Sequence, residues 1–313
     1  MTTVEVNPRQ SAFERVKALL IRGFLRGAFR GVMSPRRTPA FQRRWIKLLS
    51  RFTPARRGVV REQRRVAQVP VEITSVPTAQ KNSAAILYIH GGGFCLCSPA
   101  THHSVTSILA LESGMPVWTP DYRLAPENPY PAGLEDVLAT YHEMLQAGYS
   151  AEQVVIAGDS AGGALALALA IRLRTTNQPR PAALLLLSPL IDLQQSADTQ
   201  RTIAAPDPMI RGDWLDQMLM WYACPPGTPE HCPLEIDLQG LPPLLIQVGD
   251  LEFLLADSTR LAEHAARCQV ECRLEIYHGR WHVFQLQSRF LPSSVTALQA
   301  LAAFARDKTQ TTG

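Results

Sequence analysis

Gly158-Asp159-Ser160-Ala161-Gly162 is the stretch from which the fold of this 313-residue chain is read. Just ahead of it, Gln153-Val154-Val155-Ile156-Ala157 is a short apolar run rich in β-branched side chains, the composition of a strand buried on both faces. Just behind it, Gly163 to Arg174 alternates alanine and leucine without another glycine or proline, which predicts a helix. A strand that turns into a helix within three or four residues crowds its own backbone, so the flanking positions must be small. Gly158, Ala161, Gly162 and Gly163 meet that need. The pattern predicts a strained turn that exposes the Ser160 hydroxyl at the strand's carboxyl end and at the positive end of the helix.

The same grammar extends in both directions. Upstream, Ala84 to Ile89 is a continuous apolar run that ends in His90-Gly91-Gly92-Gly93-Phe94. A helix over His103 to Glu112, a strand over Pro116 to Thr119 and a helix over Gly133 to Gln146 follow. Downstream come strands over Ala182 to Leu187, Leu244 to Val248 and Cys272 to Tyr277, with helices over Ala256 to Arg267 and Ser293 to Arg306. Strands that alternate with helices imply an α/β class fold, a mostly parallel twisted sheet flanked by helices on both faces. Sites in such sheets form at the strands' carboxyl ends. Val69 to Val76 alternates like an edge strand. The alternation breaks over 194–240, where prolines surround one helix, Gly212 to Trp221, carrying Trp214, Leu215, Met218, Leu219 and Trp221. This insertion reads as part of a helical cap, with a plain surface helix as the alternative. Four segments result: 1–66, an N-terminal helical cap segment; 67–193, the first part of the core; 194–240, the cap insertion; and 241–313, the second part of the core.

Composition narrows the partners. Hydrophobic residues make up 46% of the chain, enough for a large core, yet no apolar run approaches the ~20 residues that span a bilayer. The N-terminus lacks the apolar core and cleavage site of a secretory signal, so a cytoplasmic protein is expected. Residues 1–66 hold 17 Lys or Arg against Glu5, Glu14 and Glu62, a surplus of +14; with +4 overall, the rest carries −10. Within this basic arm, Phe13, Val16, Leu19, Leu20, Phe24 and Ala28 recur at helical steps over Ser11 to Met33, and Phe41, Trp45, Leu48 and Leu49 do so over Pro39 to Phe52. A lid packed on the acidic body is expected, with its arginines lying across that body or simply solvated. Peripheral contact with an anionic membrane is the alternative. No nucleic-acid partner is expected, because no aromatic interleaving or binding motif accompanies the charge. The spacings of the six cysteines match no zinc site, so free thiols and no metal are expected.

A serine hydroxyl becomes a nucleophile only with a base in reach, and that base needs a carboxylate to orient it. In a strand-turn-helix setting the chain order is nucleophile, acid, histidine. His282 follows the last strand and is placed to serve. His278 is its competitor at the strand's edge, and the remaining histidines are read as packing or surface residues. Negative charge on a carbonyl oxygen under attack requires aimed backbone N–H groups, and Gly92, Gly93 and Ala161 can supply them. The glycines lack the lysine and spacing of a phosphate loop.

Four motifs in one order carry a resemblance: His90-Gly91-Gly92-Gly93-Phe94, Asp121-Tyr122-Arg123-Leu124-Ala125-Pro126-Glu127, Gly158-Asp159-Ser160-Ala161-Gly162-Gly163 and His282-Val283-Phe284. Over about residues 68 to 306 the chain resembles the bacterial hormone-sensitive lipase family of α/β-hydrolase carboxylesterases, in its GDSAG subgroup. The resemblance implies an α/β-hydrolase core, a cap built from N-terminal helices plus an insertion, no cofactor, and hydrolysis of short- to medium-chain carboxylic esters through an acyl-enzyme. It also implies pairing of two copies in many members. A membrane-surface lipase, an acetyl-ester deacetylase and a non-catalytic small-ligand receptor are the other functions the fold admits. One position departs from the family's pattern: after Gly249-Asp250 stands Leu251 where members commonly have Asp. Glu252, Asp250 and Asp257 therefore all remain candidates for the acid. Glu252 comes first because some relatives use Glu there, and Asp257 is expected to cap the helix that follows.

Overall fold

The computed structural model describes residues 1–7, 11–78, 83–193 and 207–310. Its centre is a sheet of nine strands: β1 (Thr2–Val6), β2 (Val60–Val66), β3 (Val69–Ser75), β4 (Ala85–Ile89), β5 (Val117–Pro120), β6 (Val154–Asp159), β7 (Ala183–Leu187), β8 (Leu244–Gly249) and β9 (Cys272–Tyr277). They lie in the order β1-β9-β8-β7-β6-β4-β5-β3-β2. β2 runs antiparallel to β3 and β3 antiparallel to β5; the other neighbours are parallel.

The central strands read as continuous apolar runs because both faces are covered. Along β4, Ala85, Leu87 and Ile89 join a core shared with α4 (Ala132–Gln146), α5 (Ala161–Thr175) and α7 (Leu255–Arg267). Ile86 and Tyr88 point the other way, onto α3 (His103–Ser113) and α8 (Pro292–Gln310). β6 is central, so the chain that leaves its carboxyl end emerges in the middle of the sheet's upper edge, flanked by the ends of β4 and β7.

The basic arm contains α1 (Ala12–Arg30) and α2 (Pro39–Leu49), but it is not wholly helical. β1 pairs with β9 at one edge of the sheet and β2 forms the other edge, so Val69–Ser75 is an inner strand. Six of the seven β2 residues are exposed. A strand that buries almost nothing has no alternation to betray it, and backbone pairing alone holds it.

α1 does not turn its apolar stripe to the body. The helix turns Glu14, Ala18 and Leu25 to the body and leaves Phe13, Val16, Leu19, Leu20 and Phe24 outside. The reason is electrostatic: Arg280 is fully buried, and its Nη2 reaches Glu14 Oε1 at 2.9 Å. A buried cation demands a partner, and that demand outweighs the gain from burying a few more apolar side chains. Some arginines of the arm lie across the body and others are solvated. Arg43 bridges to Glu127 at 2.7 Å and to the Cys95 and Ala125 carbonyls, Arg56 donates to the Ser288 carbonyl at 3.1 Å, and Arg61 lies 2.9 Å from His103 Nδ1, while Arg15, Arg26 and Arg44 are exposed.

From the insertion, α6 (Gly212–Tyr222) buries Trp214, Leu215, Met218 and Tyr222. Trp214 Nε1 donates to Gln42 Oε1 at 2.8 Å, joining the insertion to α2. The first part of the insertion, 194–206, lies outside the described residues.

Candidate active site

Ser160 stands between β6 and α5 with φ +53° and ψ −123°. For a residue with a Cβ that conformation is strained, and the surroundings hold it in place. Its N–H donates to the Leu187 carbonyl at 2.9 Å, and its own carbonyl accepts from Ala164 and Leu190. The turn is possible because helix and strand touch: a Cβ on Gly162 would collide with the Ile89 carbonyl.

His282 and Glu252 come together at the carboxyl ends of β8 and β9. Nδ1 of His282 lies 3.3 Å from Glu252 Oε1, and the side chains are 7% and 0% exposed. The other carboxylate oxygen accepts from the Ser188 hydroxyl and the Gly249 N–H, both at 2.8 Å. Ser188 in turn accepts the Val283 N–H at 3.2 Å, so one hydroxyl fixes the acid and the histidine's loop together. Burial pushes the Glu252 carboxyl up, against its hydrogen bond and attraction to His282. Burial pulls the His282 imidazole down, but the bond and charge of Glu252 outweigh it and leave His282 above its ordinary value.

The rival carboxylates are occupied elsewhere. Asp250 accepts from Gly279 N–H at 2.7 Å and lies 3.0 Å from His278 Nδ1, on the outside of the fold. Asp257 is not a cap of its own helix. It sits inside α7, and its Oδ2 accepts the N–H groups of Ile191 and Asp192 at 2.7 and 2.9 Å, anchoring the chain beyond β7. Burial pushes the Asp257 carboxyl up to about 6.

The glycine loop beyond β4 is pinned from beneath. Gly91 N–H donates to Asp159 Oδ1 at 3.1 Å and is thereby used, whereas Gly92 adopts φ +111° with its carbonyl accepting from Cys95 and Leu96. A Cβ on Gly92 would stand 2.5 Å from the Leu96 carbonyl oxygen, so no larger residue fits that bend. Ala161 begins α5, where first-turn N–H groups have no helical acceptor. Asp159 also accepts from the Tyr88 hydroxyl at 2.7 Å and lies 3.2 Å from His102 Nε2. His102 continues into a ring stack with His90 and Tyr122.

Ser160, His282, Gly92, Gly93 and His102 all line one cavity of ≈ 480 Å³. Its other walls are mainly apolar: Ile21, Leu25 and Phe29 from α1, Ile46 and Leu49 from α2, Trp214 and Leu215 from α6. The Ser160 turn, a histidine backed by a carboxylate and a glycine loop therefore meet at an apolar pocket walled by α1, α2 and α6.

This arrangement has known counterparts. A family profile described as alpha/beta hydrolase fold matches residues 86–286. The crystal structure of an esterase from the bacterial hormone-sensitive lipase family superposes with a TM-score of 0.88 at 34% identity, covering 96% of this chain and 100% of that one. The chain belongs to the bacterial hormone-sensitive lipase family of α/β-hydrolases. An "Esterase" of Acinetobacter venetianus is 38% identical over 223 residues, 70% of this chain and 74% of that protein. A "Carboxylesterase/phospholipase LipF" of Mycobacterium tuberculosis is 32% identical, over 80% of this chain and 70% of its own length.

In this family member Ser160, His282, Gly92 and Gly93 line one cavity, Glu252 lies behind His282, and Ala161 follows Ser160 at the start of α5. Sequence reasoning passed over Asp159, His102 and Ser188. His102 was grouped with packing histidines, although it faces the cavity. Ser188 had a usable signal: it is the first polar residue after the apolar β7, at the sheet edge where sites form. His231 bonds the Tyr222 hydroxyl at 2.9 Å and is one of the packing histidines.

Proposed function

We propose that this carboxylic ester hydrolase cleaves short- to medium-chain esters through an acyl-enzyme on Ser160. The observation that carries the proposal is the strained Ser160 turn opening on the same apolar cavity as a His282 held by buried Glu252. Ser160 Oγ attacks the ester carbonyl carbon while His282 Nε2 takes its proton. Glu252 holds the Nδ1 proton and stabilises the imidazolium that forms. The N–H groups of Gly92, Gly93 and Ala161 receive the oxyanion, each donor being worth ~3 kcal/mol of barrier. Collapse expels the alcohol, which takes the proton from His282. Water then attacks the acyl group with His282 as base, releasing the carboxylic acid and restoring Ser160.

The cavity's apolar walls suit an acyl chain, and its volume of ≈ 480 Å³ supports short to medium length. The buried Glu252–His282 pair supports catalysis over passive ligand holding, since a receptor gains nothing from a histidine made more basic. The motif around Ser160 supports the GDSAG subgroup. A cytoplasmic site of action is supported by the six cysteines, all free. No helix among the described residues is long and apolar enough to cross a membrane. The test is hydrolysis of a series of chromogenic acyl esters: activity peaking at short to medium chains and lost in Ser160→Ala upholds the proposal. Equal turnover by both proteins sinks it.

A further inference from the structure

The outer face of the cap is built for a partner that the hydrolytic chemistry does not require. On α1, Phe13, Val16, Leu20 and Phe24 form one stripe at three- and four-residue steps, and they are 68%, 54%, 68% and 57% exposed. Phe41, Leu48 and Phe52 continue the apolar surface along α2 and the turn after it. A patch of this extent on a soluble face marks a binding surface. Leu20, Phe24 and Phe52 also line the cavity, as does exposed Phe290, so the pocket opens through the patch itself.

Cations surround it. Arg15, Arg26, Arg44, Lys47 and Arg51 are exposed. Among the described residues, Arg43 is the only cation of α1 or α2 in an ion pair. The one carboxylate on these helices, Glu14, is turned inward onto Arg280.

We propose that this face docks on a bilayer containing anionic phospholipid, with the cavity mouth against the lipid. Apolar side chains would sink into the acyl boundary while the arginines meet the headgroups. A second copy of the chain fits less well, because a twofold contact would press two cationic faces together. The docking stands independently of the ester-hydrolase reading; only the delivery of acyl substrate from the lipid rests on it.

The test is co-sedimentation of the full chain with phosphatidylcholine vesicles made with and without phosphatidylglycerol. Binding to the mixed vesicles at low salt, little binding to the neutral ones, and release at high salt are expected. Arg15→Gln with Arg26→Gln and Arg44→Gln should lower partitioning about a hundredfold. Phe13→Ser with Val16→Ser should lower it at least tenfold. None of these residues lines the cavity, so hydrolysis of a water-soluble ester at the wild-type rate reports that the variants are folded. The proposal is overturned by absence of binding to mixed vesicles at low salt or by equal binding to both vesicle types. It is also overturned if light scattering shows a dimer that Phe13→Ser with Val16→Ser disperses. Vesicle binding is read without turnover, so its failure and a failure of hydrolysis are separate results.

Discussion

Two histidine–carboxylate pairs stand side by side at the ends of β8 and β9, and they differ in almost everything but composition. His278 and Asp250 are 3.0 Å apart with side chains 40% and 28% exposed; His282 and Glu252 are 3.3 Å apart with side chains 7% and 0% exposed. The shorter contact is the weaker one in effect. In water an ion pair is screened and worth little, whereas in a site closed to solvent the same charge acts at several times the strength. His278 also lies 2.9 Å from Glu5 on β1, so the exposed pair fastens the sheet's edge, while His282 of the buried pair faces the cavity.

The most severe test removes the group that the buried pair is proposed to serve. Ser160→Ala should lower the rate of chromogenic ester hydrolysis by about a millionfold, to what the remaining site provides. A loss smaller than tenfold would leave neither pair with a nucleophile to activate and would end the comparison. Next comes Glu252→Gln, expected to cost about 10⁴ in kcat. Its pH profile is the sharper readout. The base must be neutral, so with His282 raised above 6.5 the acid-side limb of kcat/KM should lie above that pH in the native enzyme. Without the carboxylate, burial is left to act and the limb should move to lower pH. An unmoved limb would assign the orienting role to another group.

A third experiment concerns the cap rather than the chemistry. Glu14→Gln leaves the fully buried Arg280 without a counter-charge, two residues before His282. Removing one member of a buried pair costs about 3–5 kcal/mol, to be measured as a fall in unfolding free energy in denaturant. A change under about 1 kcal/mol would mean that α1 is not anchored there. The smallest effect belongs to the exposed pair: His278→Ala should alter stability by no more than about 1 kcal/mol and ester turnover by less than about twofold. If His278→Ala cost as much as Glu252→Gln, burial would be the wrong criterion for telling the pairs apart.

Where side chains pack on both faces of the sheet, the sequence was legible. β4, β6, β7 and β8 are mostly apolar runs within a residue or two of where composition puts them, because a strand covered twice favours apolar side chains. The elbow was legible for a related reason, since only small residues let α5 start against β4. β2 was not, because six of its seven residues face solvent, and neither was the face that α1 turns to the body. Periodicity counts apolar residues on a helix, and on α1 the face that docks carries Glu14 because an arginine 266 positions away needs it.

The sequence alone thus determined the α/β class and the family resemblance, and it singled out the serine, the histidine and the glycine loop as candidates, from local constraints of backbone space and burial. It put Glu252 first among three carboxylates within eight residues and kept Asp250 and Asp257 beside it as candidates. Only the tertiary structure separated them, turning Asp250 to solvent, tying Asp257 to the chain beyond β7 and setting Glu252 against His282. Orientation and depth decide what a carboxylate does, and both are fixed by contacts between segments far apart in the chain.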